Sequence, residues 1–377
     1  MSKKKKIIIL ALVVFLILVG VLLASFLKLG SWETIREFKI LPTPDPVGQK
    51  IEKMSLEEKV GRLFVVGFVG ESIGPKTEAF FREHYFANFL LGEGNIKNEE
   101  QARKLIGDLE AMATGSALIG VDQEGGKVSR IEFGGIDLTS QAKIKDENQA
   151  LEIGKNRGKI LADLGINLVF APVMEVVRDE NSYLGKLERA FLGDEIDIFE
   201  LGKAMIEGYR QEKVVCIGKH FPGGLGRGEL DPHQILPTLK ISEDELERDI
   251  LPFKKLIEAS SLEGVMMTHI LYSKIDSEFP ASLSAKIIGG ILRGELKFEG
   301  IVLTDDLAMK GITSSYSLDE AAVKAFLAGA DLLMITGGRE NQDKAYKAIL
   351  EAVNKGEVSL ERVDESVGRI LRIMNNE

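Results

Sequence analysis

Apolar residues along this chain are grouped into short continuous runs rather than alternating with polar ones. Eight such runs, each bounded by glycine or polar residues, are typical of strands buried on both faces of a parallel sheet. The runs are LFVVGF (63–68), NFLLG (88–92), ALIGV (117–121), INLVF (166–170), VVCIG (214–218), GVMMT (264–268), GIVLT (300–304) and DLLMI (331–335).

Amphipathic stretches separate these runs and predict helices. They cover residues 98–112, 147–164, 195–209, 243–259, 284–292 and 318–327, and a last helical pair covers 341–353 and 360–374. Ser55 and Glu58 have the spacing of a capping box, which predicts a short helix before the first strand. Eight strand–helix units predict a (β/α)8 barrel of the TIM type, a single domain over residues 51–377. A doubly wound open sheet is the alternative, although it more often has fewer strands.

The N-terminus carries a separate signal. Four lysines in MSKKKK precede an uncharged apolar run over residues 7–27. At ~1.5 Å per residue this run is about 31 Å long, enough to span a ~30 Å hydrocarbon core. It predicts a membrane anchor with residues 1–6 in the cytoplasm and the barrel outside. A cleaved signal peptide is the alternative, which would make the protein secreted. Residues 28–50 contain three prolines and predict an extended linker.

Composition narrows the classes of partner. The chain has 377 residues, 45% of them hydrophobic and 28% charged, which is ordinary for a globular protein. A net charge of −10 argues against nucleic acid. The single cysteine, Cys216, lies in an apolar run and is expected to be buried. We expect a monomer.

Function in such a barrel is located at the carboxyl ends of the strands. Three of the four histidines fall there, and only His84 does not. The polar residues that follow the predicted strands are Asp122 and Glu124, Glu175, Glu188 and Arg189, Lys219 and His220, His269, and Asp305 and Asp306. Two reaction classes fit this set, glycoside hydrolysis with a carboxylate nucleophile and metal-assisted hydrolysis.

Asp305 is the best candidate nucleophile because it directly follows a strand and can point into the barrel mouth, although it could instead cap the next turn. Asp306, its neighbour, should point elsewhere. His220, Asp231, His233 and His269 are possible metal ligands, but their spacing matches no usual zinc pattern. We therefore expect neither a metal nor another cofactor.

A glycine-rich loop, KHFPGGLGRGELDPHQ, follows the fifth strand. Within it, Asp231 could orient His233 as a proton donor, or Asp231 and Pro232 could simply begin a turn. The glycines predict a mobile loop that covers a bound sugar. They could also cradle a phosphate, but the Walker spacing is absent.

Four further residues are candidate sugar ligands, and each one singly could instead be a structural ion-pair partner. Lys219 and His220 could hydrogen-bond to hydroxyl groups. Asp122 could accept from two hydroxyls, and Arg189 could hold a hydroxyl or a carboxylate.

Several segments occur in an order that resembles glycoside hydrolase family 3, in particular its bacterial β-N-acetylglucosaminidase branch. They are MSLEEKVGRLFVVGF, GVDQEGGKVSRI, NLVFAPVMEV, RAFLGD, GKHFPG…DPH, PASLS and GIVLTDDLAMKGI, and the resemblance covers about residues 51–375. It implies an exo-acting, retaining enzyme that removes terminal β-linked GlcNAc, often from peptidoglycan fragments.

The resemblance also implies roles for individual residues. Asp305 would be the nucleophile, and His233, paired with Asp231, would be the acid and then the base. Residues that match the sugar ligands of the family are Asp122, Arg189, Lys219 and His220.

Four departures from the family pattern concern the catalytic loop and its support. Gly224 stands where the family has a second histidine, the loop is one residue longer, and Pro232 replaces a serine. Glu175 stands where the family commonly has Asp. Two other functions therefore stay open: a phosphorylase that passes the sugar to phosphate, and a glycan-binding protein on an inactive scaffold.

Overall fold

The computed structural model describes residues 12–22 and 45–375. Residues 12–22 form a helix, α1. In these two ranges no helix is long and apolar enough to cross a membrane. The predicted anchor over residues 7–27 is thus not supported by the helices that the structure describes, and its two ends lie outside the described residues. The predicted basic tail and most of the predicted linker also lie outside them.

Eight parallel strands form the centre of the unit that begins at Val47. They are β1 (Phe64–Val66), β2 (Asn88–Leu91), β3 (Leu118–Val121), β4 (Leu168–Val169), β5 (Val215–Phe221), β7 (Gly264–Met267), β9 (Ile301–Thr304) and β10 (Leu333–Ile335). Each pairs with the next, β1 pairs with β10, and a parallel bridge joins Leu303 to Leu332. The ring is closed by that bridge, so the fold is the predicted barrel and not an open doubly wound sheet.

Each of the eight predicted apolar runs overlaps a strand of this barrel, and β5 continues three residues beyond its run. The strands are short and buried on both faces, which explains why the sequence shows continuous apolar runs there. Cys216 lies on β5 and is buried, as expected.

Helices surround the barrel. They are α2 (Pro46–Glu52), α3 (Leu56–Gly61), α4 (Pro75–Glu83), α5 (Glu99–Met112), α6 (Glu147–Leu164), α7 (Tyr183–Lys186), α8 (Glu195–Gln211), α9 (Glu243–Glu258), α10 (Lys310–Thr313), α11 (Leu318–Ala328), α12 (Arg339–Asn354) and α13 (Leu360–Asn375). The predicted capping box is present at the start of α3, where Ser55 and Glu58 bond reciprocally.

Four local features differ from the sequence expectation. Residues 46–50, predicted as the end of the linker, belong to α2, and its first residue is Pro46, because proline is well suited to the first turn of a helix. Helix α4 carries few apolar residues and was not expected. The stretch predicted as a helix over 284–292 is a π-helix, Lys286–Glu295. Two very short strands, β6 (Thr238–Leu239) and β8 (Leu271–Tyr272), pair outside the barrel.

Candidate active site

A cavity of about 180 Å³ lies at the carboxyl ends of the barrel strands. Its lining includes six of the seven residues that the sequence predicts for the site: Asp122, Arg189, Lys219, His220, His233 and Asp305. The seventh, Asp231, contacts His233 directly. The structure therefore brings together side chains that lie on β5 or follow β3, β4, β5 and β9 in the chain.

Two adjacent residues of β5 reach the cavity together. Lys219 and His220 both line it, although neighbouring side chains on a regular strand point to opposite faces. The pairing of β5 with β7 shifts register between Lys219 and Phe221. Such irregularities re-aim side chains, and this one accounts for the paired arrangement.

Glu124 lines the cavity and is the centre of an ion-pair cluster in its wall. Arg189 donates to both of its carboxylate oxygens at 2.8 Å, and Lys219 Nζ lies 2.6 Å from Glu124 Oε1 and 2.6 Å from Asp122 Oδ1. Burial alone would raise the pKa of Glu124, but Arg189 and Lys219 outweigh it and hold that pKa well below its usual range. Likewise, burial opposes the charge on Lys219, yet Asp122 and Glu124 raise its pKa. Both cations are thus fixed in their charged form.

Glu124 was not predicted as a site residue from the sequence. Its position two residues after Asp122 could have indicated a role in the site. A charged residue so close to a buried strand needs a charged partner. Arg189 and Lys219 are those partners, so both predicted sugar ligands are also structural ion-pair members.

Glu175 supports His220 from the loop after β4. Its Oε1 lies 2.7 Å from His220 Nδ1, and its Oε2 accepts the backbone N–H of Leu225 at 2.8 Å. Burial raises the pKa of Glu175 to about 8. Burial, together with the nearby charges of Arg189 and Lys219, lowers the pKa of His220 well below its usual value. We therefore assign a neutral His220 and a protonated Glu175 at pH 7.

Asp305 and Asp306 diverge, as the sequence predicts. Asp305 follows β9, its backbone N–H donates to the Met267 carbonyl at 3.1 Å, and its side chain lines the cavity. The Asp306 side chain turns away and accepts the hydroxyl of Thr336 and the backbone N–H of Ala308. Burial raises the pKa of Asp306. Asp305 Oδ1 also accepts the N–H of Asp306 at 2.8 Å, so part of the predicted turn-capping role is present as well.

His269 is held inside the protein. Its Nδ1 lies 2.7 Å from Ser282 Oγ, and its Nε2 lies 3.0 Å from the Asp306 carbonyl oxygen. Both ring nitrogens are thus engaged, and the Nε2 contact holds the backbone next to Asp305. Among residues 12–22 and 45–375, no three His, Cys, Asp or Glu side chains converge as metal ligands would.

Asp231 and His233 are both in contact and near the surface. Asp231 Oδ1 accepts the backbone N–H of His233 at 2.9 Å and lies 3.0 Å from His233 Nδ1. Partial burial works against ionisation of Asp231, but the bonds from His233 and Gln234 lower its pKa. Because the charged carboxylate needs a donor, Nδ1 carries the hydrogen. The dyad and the turn are therefore compatible, since one carboxylate makes both contacts.

Specific bonds hold the glycine-rich loop at several points. Arg227 donates to both carboxylate oxygens of Asp249, at 2.6 and 3.1 Å. The Gly226 carbonyl accepts the backbone N–H of Arg178 at 2.9 Å. At the far end, the Gly311 N–H donates to the Pro232 carbonyl at 2.9 Å. Mobility of the loop over a bound sugar stays a prediction.

The missing second histidine of the loop has a steric explanation. Gly224 has φ +115°, and a Cβ placed there would lie 2.6 Å from Leu239 Cδ1 and 3.1 Å from the Tyr272 hydroxyl. Leu239 belongs to β6 and Tyr272 to β8. The small two-stranded sheet therefore occupies the space that a side chain at position 224 would need.

Two further cavity residues were not singled out from the sequence. Arg130 follows β3, and its buried Nε has no hydrogen-bond partner among the described residues. Tyr183 opens α7, and its ring lies under Arg189 with the Cζ atom 5.5 Å from the ring centroid. Arg130 could have been found from its position in the segment after β3, whereas nothing local marks Tyr183.

Residues 55–373 match the family described as the N-terminal domain of glycosyl hydrolase family 3. The chain belongs to this family. This confirms the predicted resemblance, and with it the expectation of an enzyme that cleaves glycosidic bonds.

Related proteins agree with this assignment. A protein of Idiomarina loihiensis described as a β-hexosaminidase is 34% identical over 271 residues, which are 70% of this chain and 80% of the relative. A family 3 β-N-acetylglucosaminidase from a Paenibacillus strain superposes with a TM-score of 0.81 at 34% identity. That alignment covers 85% of this chain but only 62% of the Paenibacillus chain. A β-N-acetylhexosaminidase from Beutenbergia cavernae gives a TM-score of 0.79 at 28% identity, with 85% and 99% of the two chains covered.

Proposed function

We propose that this chain is a retaining, exo-acting β-N-acetylglucosaminidase that removes terminal β-linked GlcNAc from cell-wall or chitin-type glycans. The observation that carries the proposal is a small cavity lined by Asp305, a carboxylate with no ion pair among the described residues, and by His233, an imidazole oriented by Asp231. A retaining glycosidase needs a nucleophile and a separate acid at the scissile bond. The descriptions of the relatives support the choice of sugar.

Asp305 would attack the anomeric carbon. Its Oδ1 is held by the Asp306 N–H, which leaves Oδ2 as the attacking atom. The new bond from oxygen to the anomeric carbon forms as the bond to the leaving oxygen breaks, giving a covalent glycosyl-enzyme. Burying Asp306 against Thr336 keeps the neighbouring carboxylate out of this reaction.

His233 would supply the proton to the leaving oxygen. Asp231 holds Nδ1–H, so Nε2 is the nitrogen that transfers the proton. In the second half-reaction the same Nε2 would take a proton from water, which attacks the anomeric carbon and releases Asp305. His233 is therefore neutral in the glycosyl-enzyme, and the Asp231 carboxylate stabilises the imidazolium that donates the first proton and forms again when water is deprotonated.

The remaining cavity residues would bind the sugar. Asp122 accepts hydroxyl protons, while Lys219 and Arg189, fixed by Glu124, donate to hydroxyl oxygens. Neutral His220 presents its Nε2 to the cavity, because Nδ1 is engaged by Glu175. A cavity of about 180 Å³ favours a single terminal sugar and thus exo action.

The site of action is inferred from the N-terminal sequence alone. The basic residues before the apolar run of 7–27 favour a barrel outside the cytoplasm. The cellular fractionation of a tagged chain tests this, and recovery in the cytoplasm would contradict it.

The direct test uses the full chain and 4-nitrophenyl β-N-acetylglucosaminide. The wild type should release 4-nitrophenol, the product first seen by NMR should be the β-anomer, and Asp305→Asn should lower kcat by at least about 10³-fold while remaining folded. Formation of a sugar 1-phosphate on adding phosphate would indicate a phosphorylase instead. A folded wild type that binds chitin fragments but releases no sugar would indicate a binding protein.

A further inference from the structure

A second, larger depression adjoins the cavity. It has a volume of about 420 Å³, and its lining comprises Tyr183, Lys186, Leu187, Glu229, Asp231, Gln234 and Ile235. We call it the outer groove. Tyr183 lines both the outer groove and the inner cavity, so the two spaces meet at its ring.

The outer groove lies on the side of the proposed proton donor. Asp231, which contacts Nδ1 of His233, lines the groove, while His233 itself lines the cavity. The rings of Tyr183 and His233 are 6.4 Å apart between centroids. A sugar bond protonated by His233 would therefore have its leaving oxygen at the junction of the two spaces.

Two segments form the walls, and a backbone bond joins them. One wall is α7 with the residue after it, and the other is the tip of the glycine-rich loop. The N–H of Tyr183 donates to the Gly228 carbonyl at 2.9 Å, and Lys186 pairs with Glu229. Because these bonds link the walls, the groove is a built feature rather than a gap between independent loops.

The lining has the mixed character that suits a pyranose ring. Tyr183, Leu187 and Ile235 offer an aromatic and aliphatic surface, and Ile235 is 58% exposed with no cover in the described part of the chain. Gln234 and the Lys186–Glu229 pair offer hydrogen-bonding groups at the edge. A sugar presents an apolar ring face and a polar periphery, which match these two kinds of group.

We propose that the outer groove is the leaving-group subsite and binds a second pyranose residue, so that this chain favours oligosaccharides over glycosides with small leaving groups. This inference rests on the proposed function, because it takes His233 as the proton donor. Ile235 and Leu187 are the aliphatic residues of the groove, and neither lines the inner cavity.

The test compares two substrates of the full chain. The β-linked disaccharide of GlcNAc places a sugar in the groove, whereas the β-fluoride of GlcNAc has a leaving group too small to enter it. The measured quantity is the ratio of kcat/KM for the disaccharide to kcat/KM for the fluoride. Ile235→Ser should lower this ratio about fivefold, since it removes one exposed aliphatic contact with the second sugar. Leu327→Ser, at a similarly exposed leucine of α11 that does not line the groove, should leave the ratio unchanged.

The outcomes separate the two proposals. If the wild type cleaves both substrates and Ile235→Ser leaves the ratio unchanged, the groove is not the leaving-group subsite, while the proposed function stands. If the folded wild type cleaves neither substrate, the proposed function fails and the subsite fails with it. A selective fall in the ratio supports both.

Discussion

Glu175 Oε1 lies 2.7 Å from Nδ1 of His220, and neither side chain is exposed to solvent. Two charges, Arg189 and Lys219, stand close to this pair and are already balanced by Glu124 and Asp122. A third cation on His220 would lack a solvated environment, so the pair stays neutral. Glu175 then acts as a hydrogen-bond donor to His220 and fixes its tautomer.

Glu175→Gln should change how stability depends on pH. Burial raises the pKa of Glu175 to about 8 in the folded protein, while the unfolded value is near 4.3. Between these values the folded state holds a proton that the unfolded state has lost. Protonated Glu175 therefore stabilises the folded state fully below the unfolded pKa of about 4.3. This stabilisation is lost as pH rises from there through about 8. Between pH 6.5 and 8, the wild type should lose about 1 kcal/mol per pH unit more than Glu175→Gln, measured by denaturant unfolding.

The comparison of wild type with Glu175→Gln separates the effect of Glu175 on the pH dependence of stability from that of His220. The lowered pKa of His220 acts in the opposite sense, removing stability as pH falls below about 6.5, and it is present in both proteins. Glu78→Gln, at an exposed glutamate that pairs with Arg82, should keep the wild-type slope. Parallel stability curves for wild type and Glu175→Gln would show that Glu175 is ionised at neutral pH.

Glu124→Gln should destabilise the barrel strongly. The substitution leaves Arg189 and Lys219 without their shared carboxylate, and an uncompensated buried charge typically costs about 3–5 kcal/mol. Because the pKa of Glu124 is held low, its contribution is present above the unfolded pKa and is lost as pH falls. The variant should therefore also show a shallower loss of stability on acidification, which a denaturant series from pH 7 downwards would measure.

Glu78→Gln, at an exposed glutamate, serves as the control for Glu124→Gln. Glu78→Gln breaks an ion pair of similar length, 3.0 Å, on the surface and should change the unfolding free energy by less than about 1 kcal/mol. Equal effects of the two substitutions would mean that the buried cluster contributes no more than a surface pair.

The barrel and most of the site could be predicted because they follow simple local rules. Strands such as Leu118–Val121 are buried on both faces, so they appear as unbroken apolar runs. Parallel strands bring their carboxyl ends to one face, so Asp122 and Asp305 meet although 183 positions separate them in the sequence.

The parts that could not be predicted depend on contacts between distant segments. The strands Thr238–Leu239 and Leu271–Tyr272 have two residues each, too few to show a period, and they form only because they pair with each other. Tyr183 reaches the cavity because α7 is tied to the glycine-rich loop. The importance of Glu124 depends on Arg189, which lies on another loop.

Gly224→Ala should destabilise the protein through strain at one backbone position. At φ +115° a side chain is unfavourable, and the added methyl group would approach Leu239 within 2.6 Å. We expect a loss of about 1–3 kcal/mol, measured as a shift in the denaturant midpoint. Gly228 in the same loop is the matched control, because its φ of 170° is extended and a Cβ there meets nothing within 4 Å. If Gly228→Ala costs as much as Gly224→Ala, general loop stiffening and not local strain is the cause.

Asp231→Asn should slow the reaction without unfolding the protein. Asparagine can still accept the backbone N–H of His233, so the turn is kept, but it no longer stabilises the imidazolium. General acid–base catalysis contributes roughly 10²–10⁴-fold, and we expect the variant to lose about 10²-fold in kcat/KM for the disaccharide. The loss should be much smaller for the fluoride, whose departure needs less help from a proton donor. Asp179→Asn is the control, because Asp179 accepts a backbone N–H two residues on at 2.8 Å in the same kind of turn but has no histidine there. An equal loss on both substrates would mean that Asp231 acts on the loop structure and not on proton transfer through His233.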